Sequence, residues 1–349
     1  MRRPNIRAVR TPFTLPRLCD RNCIGSIEPN YLRLLYPNCE PVVAEHLSVG
    51  GGHEIYVEQC GNPSGIPAVF LHGGPGSGCK PDHRQFFDPA RYNVILIDQR
   101  GAGRSRPYGS VEHNDTAALI DDMEAVRERF GIDAWVLFGG SWGAALALAY
   151  AETLPDRVLG IILRGTFLAR KRDVDWFFHD GASRFLPRQW REFVDRVQAD
   201  DPNDLVAFLH AAVFSDDAAT VERIARAWEA WSGAVVMFSI DNTGGNASGD
   251  LAASIAKTRI ELHYAKHAYF FAENQLLDRA ECIPRVPVTI VHGARDLTCT
   301  ADAAWVIHAA IPDSNLEIVA TAGHLSSERP MKDALVRASD AMALAIAGS

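Results

Sequence analysis

Short apolar runs recur along the chain, and most of them end in glycines or charged residues. Residues 53–59 (HEIYVEQ) alternate apolar and polar positions as a half-buried strand does, and residues 61–65 (GNPSG) have turn composition. Residues 68–71 (AVFL), 92–97 (YNVILI), 135–138 (WVLF), 159–163 (LGIIL), 286–291 (VPVTIV) and 316–319 (LEIV) have the length and apolar character of buried strands. Helical spacing lies between some of them. Residues 117–130 place Leu119, Met123, Val126 and Phe130 on one face, and residues 144–154 form an Ala/Leu-rich stretch closed by Pro155. Strands buried on both faces and alternating with helices predict an α/β fold with a mostly parallel sheet flanked by helices.

The alternation stops near Arg164 and resumes at residue 286. Residues 166–282 are dense in Trp, Phe and charged groups and read as mainly helical, with a polar break at 241–250 (DNTGGNASGD). An insertion that leaves one strand and returns to the same sheet predicts a helical cap over residues 166–282. The core then comprises residues 31–165 and 283–349. Residues 1–30 are rich in Arg, Pro and Asn without periodicity and read as an N-terminal extension.

Composition narrows the function classes. A chain of 349 residues with 47% hydrophobic and 22% charged residues can bury a large core without disulfide or metal support. A net charge of −8 offers no general attraction to nucleic acid or anionic lipid, and neither is an expected partner. The seven cysteines are odd in number and include no CxxC pair, which indicates neither a disulfide framework nor a zinc site, and Cys19 and Cys23 read as ordinary thiols. No apolar run has membrane-span length and the N-terminus lacks a secretory pattern, so the cytoplasm is the expected compartment. The Asn246-Ala247-Ser248 sequon carries no weight without a secretory route.

The chemistry gathers at strand ends. Gly139-Gly140-Ser141-Trp142-Gly143 fits G-x-S-x-G between a predicted strand and a predicted helix, the context of a nucleophile elbow in an α/β-hydrolase fold. Side chains flanking the serine would clash in so tight a turn, and the following helix aims its N-terminus at the charge that forms. A serine hydroxyl needs a base, and the base needs an orienting acid. In this fold class the order is Ser, acid, His. The 286–291 strand runs into Asp296 and the 316–319 strand into His324, both just past carboxyl ends of strands. Ser141, Asp296 and His324 are therefore the expected triad. The backbone N–H of Trp142 and that of Gly74, with Gly73 as the alternative, are the expected oxyanion donors. No metal or cofactor is expected.

Rival residues have plainer readings. His292 packs in its turn, His308 is a surface or core histidine, and His72 orders the HGGPG loop. Asp302 belongs to the helix after Asp296, and Asp98 fixes its own loop. His263 and His267 have i, i+4 spacing, but no HExxH surrounds them.

At this point the chain resembles the proline iminopeptidase (prolyl aminopeptidase) family of α/β-hydrolase serine peptidases. The stretches that carry the resemblance include GNPSGIPAVFLHGGPGSG, FFDPARYNVILIDQRGAGRSRP, LFGGSWGAALALAYAETLPDRV, LRGTF, DGASRF and VHGARDLTC, within about residues 31–330. The resemblance implies release of N-terminal proline from small peptides through an acyl-enzyme, without cofactor. Glutamates of the cap would hold the free amine, and an apolar pocket would hold the ring. Glu261 matches one amine-binding glutamate, Phe167 and Cys299 match pocket positions, and Phe177 stands where the family usually has Tyr. The chain departs from the pattern at Ser232, in place of a second glutamate, and at Ala265, in place of an aromatic. Glu229, three residues before Ser232, has two readings, a partial substitute for that glutamate or a solvated residue of the cap. An esterase or amidase with the same triad and another small substrate is the alternative.

Overall fold

The computed structural model describes residues 35–199, 204–240 and 250–348. The N-terminal extension, Cys19, Cys23 and the Asn246 sequon lie outside the described residues.

The described strands are β1 (Val43–Gly50), β2 (His53–Gly61), β3 (Ile66–Leu71), β4 (Tyr92–Asp98), β5 (Trp135–Gly140), β6 (Val158–Arg164), β7 (Val288–Gly293) and β8 (Asn315–Val319). They form one sheet in the order β1-β2-β4-β3-β5-β6-β7-β8. The β1–β2 and β2–β4 pairs are antiparallel and every other pair is parallel. This is an α/β-hydrolase fold.

The continuous apolar runs arise because both sheet faces are covered. Val69, Ile95, Leu137, Ile161 and Ile290 join one core cluster, while their neighbours Phe70, Leu96, Phe138, Ile162 and Val291 join another. That split is the period-2 alternation of a strand applied to two dry faces. Helices α1 (Thr116–Arg129) and α2 (Trp142–Thr153) contribute to the first cluster. Asp115 starts α1 by accepting the N–H of Ala118 at 2.8 Å. Helix α2 is buried from Trp142 through Glu152, so its small Ala and Leu side chains face apolar neighbours all round.

Strand β1 lies outside the sequence expectation. It is an antiparallel edge strand whose residues alternate between half-buried and exposed, and VAEHLSVG lacks the apolar weight that marks the central strands.

Between β6 and β7 the chain forms α3 (Lys171–Phe178), α4 (Ala182–Phe185), α5 (Pro187–Val197), α6 (Leu205–Val213), α7 (Ala218–Val236), α8 (Leu251–Lys266) and α9 (Gln275–Asp278). Aromatic packing ties α3, α5 and α7 together. Phe178 stacks on Trp228 with ring centroids 4.8 Å apart, and Trp190 meets Trp231 edge-on at 4.8 Å. After β7 and β8 come α10 (Ala301–Ala310) and α11 (Arg329–Ala347), the latter packed on the second core cluster. Among the described residues no helix is long and apolar enough to cross a membrane.

Candidate active site

Ser141 occupies the turn between β5 and α2 with φ 58° and ψ −122°. A non-glycine residue at that φ is strained, and surrounding packing must hold it there. The flanking glycines show how. A Cβ on Gly139 would strike the carbonyl of Gly143, and one on Gly143 would strike the carbonyl of Leu71. The Ser141 N–H donates to the Arg164 carbonyl at 2.9 Å, pinning the turn to the end of β6.

The loops after β7 and β8 bring Asp296 and His324 together. His324 Nδ1 lies 2.8 Å from Asp296 Oδ2. The other carboxylate oxygen, Oδ1, accepts the N–H groups of Thr298 and Cys299, each at 2.9 Å. Burial opposes ionisation of Asp296. The positive character of His324, its hydrogen bond, His292 and the Cys299 N–H outweigh that cost and hold the carboxyl below its ordinary value. Glu328 shapes the His324 loop by accepting the N–H of Gly323 at 2.9 Å and of Leu325 at 3.1 Å.

Ser141 and His324 line one cavity of about 470 Å³, but they do not share a hydrogen bond in this structure. Ser141 Oγ lies 4.0 Å from Cys299 Sγ. His324 Nε2 faces Arg164 Nη1 at 3.4 Å, and the same Nη1 donates to the His324 carbonyl at 2.7 Å. Catalytic hydrogen bonds in unliganded sites are often loose and tighten with substrate.

Gly73 abuts Ser141, since a Cβ there would sit 3.1 Å from the Ser141 Cβ. Gly74 and Trp142 also line the cavity. Among the described residues neither Gly74 nor Trp142 has a protein acceptor for its backbone N–H. Two N–H groups with no protein partner near one hydroxyl are what an oxyanion hole requires.

All five expected substrate-side residues, Glu261, Phe167, Phe177, Cys299 and Glu229, line this cavity, and Ser232 does too. Ala265 is buried and lies off the cavity wall, where Tyr269 takes part instead. Burial pushes the Cys299 thiol well above its ordinary value, so this sulfur is a wall of the pocket and a poor nucleophile.

The rival residues are engaged in other bonds, although His72 lines the same cavity and His292 Nε2 lies 3.6 Å from Asp296 Oδ2. His72 accepts the Gln99 N–H at 3.0 Å and meets the Gly73 carbonyl at 2.9 Å. Asp98 accepts the N–H of Cys79 at 2.6 Å and of Arg104 at 2.9 Å. His292 is fully buried and bridges the Cys299 carbonyl and the Thr166 N–H. His308 pairs with Ser314, and Asp302 with Arg170. His263 bonds the Asn114 carbonyl, and among the described residues no cluster of His, Cys, Asp or Glu could hold a metal ion.

A family model described as alpha/beta hydrolase fold matches residues 67–329. The proline iminopeptidase of Xanthomonas citri is 42% identical over 313 residues, spanning 89% of this chain and 100% of its own. The chain belongs to the proline iminopeptidase family. The family member of Arabidopsis thaliana is 41% identical over 89% of this chain and 82% of its own length. A solved proline iminopeptidase of Mycobacterium smegmatis shares the fold at TM-score 0.54 and 18% identity, covering 87% of this chain and 99% of its own. An esterase of Rhodococcus gives TM-score 0.55 at 21% identity, covering 87% and 99%.

Sequence reasoning passed over Arg164, Lys257 and Glu328. Arg164 ends β6 at the carboxyl edge of the sheet, the position that drew attention to Asp296. Lys257 stands one helical turn before Glu261, which puts both on one face of α8. Glu328 acts through backbone N–H groups and left no motif to read.

Proposed function

We infer that this protein is a serine aminopeptidase that releases N-terminal proline from small peptides. The observation that carries this is the 42% identity to a proline iminopeptidase along that protein's entire length. A cavity bordered by both Ser141 and the carboxylates Glu229 and Glu261 supports it.

In the reading we propose, residues 166–282 act as a cap over the sheet edge. Substrate binds with its amine toward Glu229 and Glu261 and its ring against Phe167, Phe177 and Cys299. The His324 imidazole swings from Arg164 toward Ser141, takes the hydroxyl proton, and Ser141 Oγ attacks the prolyl carbonyl. Asp296 keeps the Nδ1 proton in place and stabilises the imidazolium. The N–H groups of Trp142 and Gly74 receive the oxyanion. His324 then protonates the leaving amine, and water, deprotonated by the same imidazole, releases proline from Ser141. Among the described residues the cysteines Cys39, Cys60, Cys79, Cys282 and Cys299 are free, which suits action in a reducing compartment such as the cytoplasm.

The deciding experiment compares proline β-naphthylamide, its N-acetyl form and a simple acyl ester as substrates. Preference for the free-amine amide is the expected result. Turnover of the ester with no turnover of either amide would replace the aminopeptidase reading with an esterase.

A further inference from the structure

The carboxylates on the helical wall of the cavity already have partners. Glu261 Oε2 accepts the indole N–H of Trp228 at 2.8 Å, and Glu261 Oε1 lies 3.3 Å from Lys257 Nζ. Lys257 lines the same cavity, four residues before Glu261 on α8. Glu229 Oε2 accepts the Ser254 hydroxyl at 3.0 Å. The third carboxylate on that wall, Asp173, is taken by Arg170, whose Nε and Nη2 sit 2.9 and 2.8 Å from its two oxygens. Glu229 and Glu261 together supply two negative charges facing the pocket, and the Lys257 ammonium cancels one of them. Ser232, on the same wall, adds a hydroxyl and no charge.

We propose that Lys257 is a specificity-determining residue whose ammonium occupies the Glu261 carboxylate that a substrate's N-terminal amine would use. This rests on the assignment of Glu261 to the amine of a prolyl substrate. An incoming ammonium must share or displace the lysine and meets a like charge at the same oxygen. A substrate whose amine is acylated, or which has no amine, meets no such repulsion. The substrate class of this pocket therefore widens from free prolyl amines toward N-blocked prolyl and related small neutral acyl groups. Proximity to Glu261 keeps Lys257 protonated against the opposing effect of burial. The charge is thus present throughout the neutral range.

Calorimetric titration on a Ser141→Ala background tests this without turnover, using prolinamide and N-acetylprolinamide as ligands. Replacing Lys257 by Met should tighten prolinamide about tenfold, the order of one charge–charge contact at a partly exposed site, and leave N-acetylprolinamide within about twofold. Lys257→Arg keeps the charge and should match the parent, whereas Lys257→Gln should follow Met. An unchanged or weaker prolinamide affinity in Lys257→Met overturns the proposal. So does an equal gain for both ligands, which would report space and not charge, and so does a failure of prolinamide to bind either protein. Turnover of proline β-naphthylamide by the unmodified enzyme is a separate readout. Its absence alongside a charge-dependent affinity change would defeat the peptidase reading and leave the role of Lys257 standing.

Discussion

His324 Nδ1 stands 2.8 Å from Asp296 Oδ2, and the second oxygen of that carboxylate is fixed by two backbone N–H groups. An acid clamped in this way can select one imidazole tautomer and one ring orientation. Asp296→Asn keeps the shape and offers an N–H where an acceptor is needed. Turnover should fall by roughly 10⁴ with substrate affinity little changed. Steady-state kinetics on a free-amine prolyl amide measures this, and near-native turnover would remove Asp296 from the mechanism.

Ser141 should be the single site of labelling by a fluorophosphonate. Ser141→Ala is expected to lose both the label and hydrolysis, as mass spectrometry of the intact protein would show. Labelling that persists in the variant would point to another nucleophile.

Glu328 holds the loop that carries His324 through the N–H groups of Gly323 and Leu325. Glu328→Ala frees those donors and should lower stability by about 1–3 kcal/mol. Turnover should drop while KM stays near its native value, because the base loses its aim and the pocket does not. Chemical denaturation and kinetics on the same sample separate the two effects. A rise in KM alone would contradict this role.

Much of the site was legible because its chemistry is tied to strand ends. The apolar runs ending at GGSWG, HGARD and TAGH mark strands by themselves, and the structure brings Asp296 against His324. The edge strand β1 was not legible, since one face is exposed and the other is only half-buried and includes Glu45, which weakens the apolar signal. Lys257 was hidden for another reason. Its meaning comes from a partner one turn away and a cavity on that side, and a lone lysine in a helix reads as a solvated surface residue. The unformed Ser141–His324 bond was equally invisible, because side-chain rotation leaves no trace in sequence.

Glu152 supplies a pH test away from the chemistry. Burial raises its carboxyl to about 7, with Arg279 opposing that shift, and neither oxygen has a hydrogen-bond partner. The folded state binds the extra proton between the ordinary carboxylate value and about 7. Stability should therefore decline as pH rises through that window. Glu152→Gln should melt at least ~2 °C higher than the parent at pH 8 and nearly level with it at pH 5, by scanning calorimetry. An equal offset at both values would mean that packing, and not ionisation, is responsible.

The backbone of Ser141 is held in its left-handed turn by the dry surroundings of α2 and by one bond to the end of β6. The aim of the hydroxyl is thus borrowed from the tightness of a helix that, past Trp142, adds no side chain to the cavity wall. A cavity opened along it, for example by Leu146→Ala, would let the elbow relax and blunt catalysis from a distance. Loss of activity on warming can accordingly precede loss of the fold.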